Sequence, residues 1–217
     1  MFTGGNIAIL CNGEFPRGEY PLYLLDSADF IVCCDGAASK LLEHNPALVE
    51  KAVVIGDMDS IDSDAAAAFE GKFVRVGEQD DNDQTKAMRY VTGHFPDAET
   101  ITILGATGLR EDHTIGNISL LMEYTRMFPG LRADVRMVSD HSTIFAVTDT
   151  TELHVGEGRS ISILTPDNTL QIHSEGLVWP TDDVIFDNWW KATLNRSSSD
   201  VVKLSFSHPS LAVLILD

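Results

Sequence analysis

Basic residues are scarce in this chain: 15 Lys and Arg face 33 Asp and Glu, a formal net charge of −18 over 217 residues. Nucleic acids and anionic membrane surfaces require a basic face, so neither is an expected partner. Cysteine is sparse as well. Cys11, Cys33 and Cys34 form an odd set with no disulfide framework and no zinc spacing, and they read as core thiols of a reducing compartment. No apolar run approaches the roughly 18 residues of a membrane span, and no basic stretch leads into a long apolar segment at the N-terminus. A soluble cytoplasmic protein is therefore the expectation. Two nucleotide motifs are also missing, Gly-x-x-x-x-Gly-Lys-Ser/Thr and a Gly-x-Gly-x-x-Gly after the first apolar run, which disfavours P-loop and Rossmann readings.

What is present changes character near residue 138. Before it, apolar runs at 7–11, 30–34, 52–55, 73–76, 100–104 and 133–138 alternate with helical periodicity at 21–26, 37–44, 62–70, 83–94 and 113–128. Most of these runs are apolar on both faces, as in a parallel sheet flanked by helices. After it come short strand-like runs at 142–148, 152–155, 160–164, 169–173, 191–194, 201–206 and 211–216. Turn signals such as Gly156-Glu157-Gly158 and Pro166-Asp167-Asn168 separate them, and no convincing helix intervenes. The expected fold class is α/β: a parallel-sheet domain over 1–138, then a small all-β sandwich or barrel over 139–217.

Four acidic clusters follow apolar runs of the first half: Asp35-Gly36-Ala37-Ala38, Gly56-Asp57-Met58-Asp59-Ser60, Gln79-Asp80-Asp81-Asn82-Asp83 with Lys86 behind it, and Arg110-Glu111-Asp112-His113. In an open parallel sheet ligands sit beyond the carboxyl ends of the strands, so Asp35, Asp57, Asp59, Asp83 and Asp112 would share one edge. Carboxylates crowded there repel one another unless a cation sits among them. Mg²⁺ fits, because it takes oxygen ligands and shares its shell with substrate phosphates. Each Asp alone also suits a turn or a helix cap.

Phosphate has its own candidates. Gly105-Ala106-Thr107-Gly108 lies between a strand and a helix, where backbone amides can meet an anion, and Arg110 offers a bidentate fork. Lys86, one turn after Asp83, either places an ammonium beside the phosphates or forms a surface ion pair. His113 either bonds a phosphate or organises its loop. The second half supplies aromatics: Trp179, and the pair Trp189-Trp190 shortly before Asn195. Indole faces stack on flat cationic heterocycles, but they also fill sandwich cores and dimer interfaces.

In this order, and followed by a β domain, the four clusters resemble the thiamine pyrophosphokinase family. Its Asp-Gly-Gly-Ala, Gly-Asp-x-Asp-Ser, Gln-Asp-x-Thr-Asp-x-x-Lys and Gly-x-x-Gly-Gly-Arg-x-Asp-His motifs correspond to residues 35–38, 56–60, 79–86 and 105–113. Asn117 and Gly176-Leu177-x-Trp179-Pro180 extend the likeness over nearly the whole chain. The resemblance implies Mg²⁺-dependent transfer of pyrophosphate from ATP to the hydroxyl of thiamine, giving thiamine diphosphate and AMP. It implies metal ligands at Asp57, Asp59 and Asp83 with Asp35 close by. Gly36, Gln79, Thr107, Arg110, His113 and Asn117 would meet the nucleotide, with Lys86 and Asp112 in the catalytic set. It also implies a homodimer whose active site lies between the α/β domain of one subunit and the β domain of the other.

The chain departs from the motifs at Ala37, Asn82 and Leu109. It also has Ala192-Thr193-Leu194-Asn195 where the family carries Ser-Asn or Ser-Thr-Ser-Asn, so Trp189, Trp190 and Asn195 are the expected thiamine contacts. Two other readings use the same aspartates: a metal-dependent nucleotide phosphohydrolase, and a non-catalytic sensor of nucleotide or thiamine.

Overall fold

The structure is a computed structural model that describes residues 5–57, 60–78 and 80–217. Asp59 and Gln79 lie outside the described residues. The chain forms two compact units, Met1–Leu120 with Phe128–Asp140, and Leu121–Met127 with His141–Asp217.

In chain order the first unit is built from β1 (Asn6–Leu10), α1 (Glu19–Ser27), β2 (Phe30–Cys34), α2 (Ala37–His44) and β3 (Ala52–Gly56). It continues through α3 (Ser63–Ala68), β4 (Phe73–Arg75), α4 (Asp83–His94), β5 (Thr100–Leu104), α5 (Glu111–Met127), of which Leu121–Met127 belongs to the second unit, and β6 (Asp134–Val138). The six strands lie in the order β6-β5-β1-β2-β3-β4 and every pairing is parallel. Ile9, Leu10, Val32, Cys33, Ile103 and Leu104 are fully buried, so neighbouring residues on these strands bury side chains on opposite faces, as helices on both sides of a sheet demand.

Local chemistry sets the helix starts. The Asn82 side chain accepts the Thr85 N–H at 2.9 Å, and Asp62 accepts those of Asp64 and Ala65, so α4 and α3 open on side-chain caps. Between α2 and β3 lies a 3-10 turn, Pro46–Lys51, which periodicity did not foretell; it is capped by Asn45 and opened by Pro46. Because strands leave β1 in both directions, toward β2 and toward β5, the switch point lies between β1 and β5. A crevice opens at such a point.

The second unit contains β7 (Thr143–Val147), β8 (Thr151–His154), β9 (Ser160–Leu164), β10 (Ile172–Glu175), β11 (Ala192–Arg196), β12 (Val201–Phe206) and β13 (Ala212–Leu216). They pair antiparallel in the orders β11-β9-β13-β7 and β10-β12-β8. Ile161, Ile163, Ile172, Val202, Leu204 and Leu214 from both sets form one core, the interior of a sandwich.

Two strands differ from their sequence expectation. The run expected at 169–173 pairs only from Ile172, because the Asp167 carboxylate takes the Thr169 N–H and hydroxyl and prolongs the turn. The run expected at 191–194 becomes a 3-10 turn, Trp189–Lys191, followed by β11, whose register shifts between Ala192 and Asn195.

Candidate active site

A cleft of about 320 Å³ opens at the carboxyl edge of the parallel strands, in the first unit alone. Its wall is drawn from successive strand ends: Cys11–Gly13 after β1, Cys34 at the end of β2 with Asp35 after it, Ser60 after β3, Asn82–Gln84 after β4, and Ala106, Gly108, Leu109 and Arg110 after β5. His113 and Asn117 of α5 complete it.

Backbone bonds join the two loops that flank the switch point. Gly13 N–H donates to the Gly105 carbonyl at 2.7 Å and Glu14 N–H to the Thr107 carbonyl at 2.9 Å. A Cβ at Gly13 would lie 2.4 Å from the Gly105 oxygen, so only glycine permits this approach. Lys40 reinforces the loop from below, donating to the Asn12 and Gly13 carbonyls at 3.0 and 2.7 Å. Burial pushes the Lys40 ammonium downward from its ordinary value.

The aspartates behave differently from one another. Asp35 is buried and sits at φ 42°, in the left-handed region that Asp tolerates better than most residues. One of its oxygens, Oδ2, accepts the Ser60 N–H at 3.2 Å, whereas Oδ1 is buried with no hydrogen-bond partner among the described residues. Burial pushes the Asp35 carboxyl upward, the Ser60 bonds oppose this, and the charges of Asp57 and Asp83 add to the rise. An orphaned buried carboxylate oxygen between two further carboxylates fits a cation partner. Among the described residues no three Asp, Glu, His or Cys side chains cage a metal ion by themselves. A Mg²⁺ ion that keeps waters and shares phosphate oxygens requires no such cage.

Lys86 is not on the surface. Only 5% of it is exposed, and its Nζ pairs with Asp83 Oδ1 at 3.3 Å, one helical turn away. Arg110 and Asp112 face each other in solvent, with Nε–Oδ1 at 3.0 Å and Nη2–Oδ2 at 2.5 Å. That fork holds the Asp112 carboxyl down at about 2. Asp112 belongs to the first turn of α5, not to a loop, and also accepts the His113 N–H at 2.9 Å. Asn117 is spent on scaffolding: its amide donates to the Ala106 carbonyl at 2.8 Å and accepts from Asn82 at 3.0 Å.

Thus Asp35, Asp83, Arg110, His113 and Asn117 line one cleft, with Lys86 paired to Asp83. Asp57, Gly36, Thr107 and Asp112 are not on its lining; Asp57 acts on Asp35 through its charge, and Thr107 through its carbonyl. Asn12, Gly13, Lys40, Ser60, Gln84, Cys11 and Cys34 were not anticipated. The signal that could have found Asn12 and Gly13 is positional: a polar residue and a glycine just after the first strand, at the switch point.

A second cavity, of about 260 Å³, lies within the second unit, between Trp179–Thr181 and Lys191–Asn195, with Val184. Asn195 is buried at its base and its amide is consumed by the Trp179 backbone, donating to the carbonyl at 2.6 Å and accepting the N–H at 3.2 Å. It positions Trp179. Trp189 and Trp190 are not on the lining, and Lys191 Nζ lies 5.0 Å over the Trp190 ring. Trp179, Trp189 and Trp190 are 59%, 44% and 65% exposed, so none of them is core.

A parallel α/β unit with a cleft at the carboxyl ends of its strands, followed by an antiparallel sandwich, defines a class of two-unit α/β–β proteins. Two models of known families match the chain: the thiamin pyrophosphokinase catalytic domain over residues 22–131 and its substrate-binding domain over residues 143–211. The chain belongs to the thiamin pyrophosphokinase family. Thiamine pyrophosphokinase 1 of Oryza sativa subsp. japonica is 27% identical over 169 residues, covering 68% of this chain and 61% of that protein. Thiamine pyrophosphokinase 1 of Arabidopsis thaliana is 29% identical over 143 residues, 56% of this chain and 53% of that protein. The chain therefore spans less than two thirds of the length of either relative. The solved thiamin pyrophosphokinase from Candida albicans shares the fold with a TM-score of 0.76 at 20% identity, covering 97% of this chain and 88% of that one. That from Bacillus subtilis does so with a TM-score of 0.76 at 19% identity, covering 97% and 98%.

Proposed function

We propose that this chain transfers pyrophosphate from ATP to the hydroxyl of thiamine, forming thiamine diphosphate and AMP. The observation that carries the reading is the buried Asp35 Oδ1, without a hydrogen-bond partner among the described residues and under the charges of Asp57 and Asp83, in a cleft lined by Arg110 and by Asp83, the partner of the buried Lys86. Asp35, Asp57 and Asp83, with Asp59, would hold Mg²⁺. Bound there, the ion would supply charge neutralisation for the polyphosphate.

This chain's own groups do the rest. The thiamine oxygen bonds to the β-phosphorus as the bond to the AMP oxygen breaks, its hydroxyl proton passes to a nearby carboxylate, Asp83 or Asp112, and negative charge spreads over the equatorial oxygens. Lys86 sits where an ammonium can meet that charge and, being buried, it cannot swing away to solvent. Arg110 exchanges its Asp112 partner for phosphate oxygens, a like-for-like swap of one bidentate anion for another. Until that exchange the Asp112 carboxylate orients Arg110, and the same two bonds hold its carboxyl down. Gln79, His113 and Asn117 serve the nucleotide side, with Gly36 and Thr107 shaping the backbone beneath it.

On the acceptor side, Trp179 forms a wall of the thiamine pocket and Asn195 holds it in place. Trp189 and Trp190 extend the aromatic surface of that unit. We assign the first unit to catalysis and the second to thiamine binding and dimerisation, and infer a cytoplasmic homodimer with its active site at the subunit interface. Among the described residues, no helix is long and apolar enough to cross a membrane. The test is an assay of ATP, Mg²⁺ and thiamine read as thiamine diphosphate and AMP. Thiamine-dependent release of AMP is expected. Release that ignores thiamine would make the chain a phosphohydrolase, and tight ATP binding without AMP would make it a sensor.

A further inference from the structure

Cys11 and Cys34 share no sequence spacing that suggests a metal site, yet the parallel register of β1 and β2 sets them side by side at the floor of the cleft. Their sulfurs are 3.9 Å apart. Each also touches one oxygen: Cys34 Sγ lies 3.5 Å from the Asp83 carbonyl and Cys11 Sγ lies 3.8 Å from Gln84 Oε1. In the protein alone these are thiol hydrogen bonds.

The same distances match three of the six edges of a coordination tetrahedron. Around a tetrahedral ion with metal–sulfur bonds of about 2.3 Å and metal–oxygen bonds of about 2.1 Å, two sulfurs stand roughly 3.8 Å apart and a sulfur and an oxygen roughly 3.6 Å. All three edges given above agree within about 0.2 Å of these values. A disulfide, by contrast, needs the sulfurs at about 2.05 Å and so would require both side chains to rotate toward each other. The geometry points to a site for a soft divalent cation of the zinc class, formed by the sulfurs of Cys11 and Cys34 with the Asp83 carbonyl and Gln84 Oε1.

The chemistry balances without any redox partner. The cation forms two metal–sulfur bonds, and the two thiol protons leave to solvent through the cleft that both residues line. Asp83 and Gln84 offer neutral oxygens, one a main-chain carbonyl with a second lone pair and the other a side-chain amide. Two thiolates offset the 2+ charge of the ion, so the site is neutral when filled. Soft sulfur donors select against Mg²⁺, which keeps this site apart from the carboxylate cluster in the same cleft. An ion there clamps the first turn of α4, which carries Asp83 and Lys86, to the ends of β1 and β2. Cys33 is an internal control, since it is buried in the hydrophobic core among Ala8, Leu10 and Val54.

Cd²⁺ is the probe, added to the full-length chain under a thiol-free reductant. One equivalent is expected to bind with a sulfur-to-metal charge-transfer band in the ultraviolet and a ¹¹³Cd resonance in the range of sulfur ligation, undisturbed by excess Mg²⁺. Cys33→Ser should keep this signature, while Cys11→Ser and Cys34→Ser should weaken binding by at least about 10²-fold. The wild-type spectra decide the matter even if a variant fails to fold. An all-oxygen ¹¹³Cd shift without the charge-transfer band overturns the proposal, as does binding that survives Cys34→Ser but is lost in Asp57→Asn or to excess Mg²⁺.

Discussion

The cleft of the first unit and the cavity of the second are built on opposite principles. The cleft is a product of topology: five strand ends deliver its wall, inter-loop backbone bonds brace it, and its charges are partly buried. The cavity depends on a local irregularity, the shifted register of β11, and on the amide of Asn195. Leu194 stands at that irregularity in left-handed backbone, at φ 56°, and is 78% exposed. An anion site must be preorganised because misplaced charge costs several kcal/mol, whereas an aromatic surface tolerates some displacement of its ligand.

The comparison breaks most sharply at the carboxylates. Asp57→Asn should lower turnover on the order of 10³-fold with little change in melting temperature, read as AMP and thiamine diphosphate formed. If the melting temperature falls as steeply as the rate, the cleft is a folding element instead. Lys86→Met should cost about 10²-fold in kcat, more than in the KM for ATP, with Lys86→Arg restoring part of it. Equal losses in both variants would mean that Lys86 serves only to pair with Asp83.

At the cavity the expected effects are smaller and of another kind. Asn195→Ala leaves the Trp179 N–H and carbonyl unpaired, and should destabilise the chain by about 1–3 kcal/mol. It should also raise the KM for thiamine more than it lowers kcat. A change in kcat alone would remove Asn195 from the acceptor side.

These sites also differ in how far they could be read from sequence. The elements of the first unit were legible because buried parallel strands are apolar on both faces and because Asn82 and Asp62 mark helix starts with side-chain caps. Asp35 and Asp83 could be placed at the cleft because each follows a strand at the carboxyl edge of the sheet, whereas Asp57 and Asp112, expected at the same edge, are not on the lining. Cys11 beside Cys34 was not, since cross-strand register brings them together, and neither was the burial of Lys86, whose spacing from Asp83 suits a surface pair equally well. In the second unit the seven strands could be counted, but not where two of them start. The Asp167 turn delays β10, and the Trp189–Lys191 turn displaces β11. Asn195 was picked out as a ligand contact although its amide is taken by backbone, because only the structure shows what it faces.

Acid should distinguish the two units more gently. Asp167 accepts bonds from Thr169, His208 and Ser210, which hold its carboxyl far below the usual range. A depressed folded pKa lends stability above the unfolded value of about 3.9 and loses it as pH falls below that value. Melting curves between pH 5 and 2 should therefore fall less steeply for Asp167→Asn than for the wild type; identical slopes would assign acid sensitivity elsewhere. Smallest of all, Leu109→Gly should raise stability by about 0.5–1 kcal/mol, because the left-handed strain it removes outweighs the unfolded-state entropy it adds back. Leu109 lies at φ 62°, is 72% exposed and lines the cleft, so chemical denaturation and nucleotide affinity should be measured on the same sample.

The two bonds that tie Gly13 and Glu14 to the carbonyls of Gly105 and Thr107 carry a consequence for how a ligand is received. Loops that hold one another cannot open separately, so this side of the cleft acts as a fixed anvil. A ligand arriving there needs no ordering of that wall, because the wall lost its conformational freedom when the chain folded.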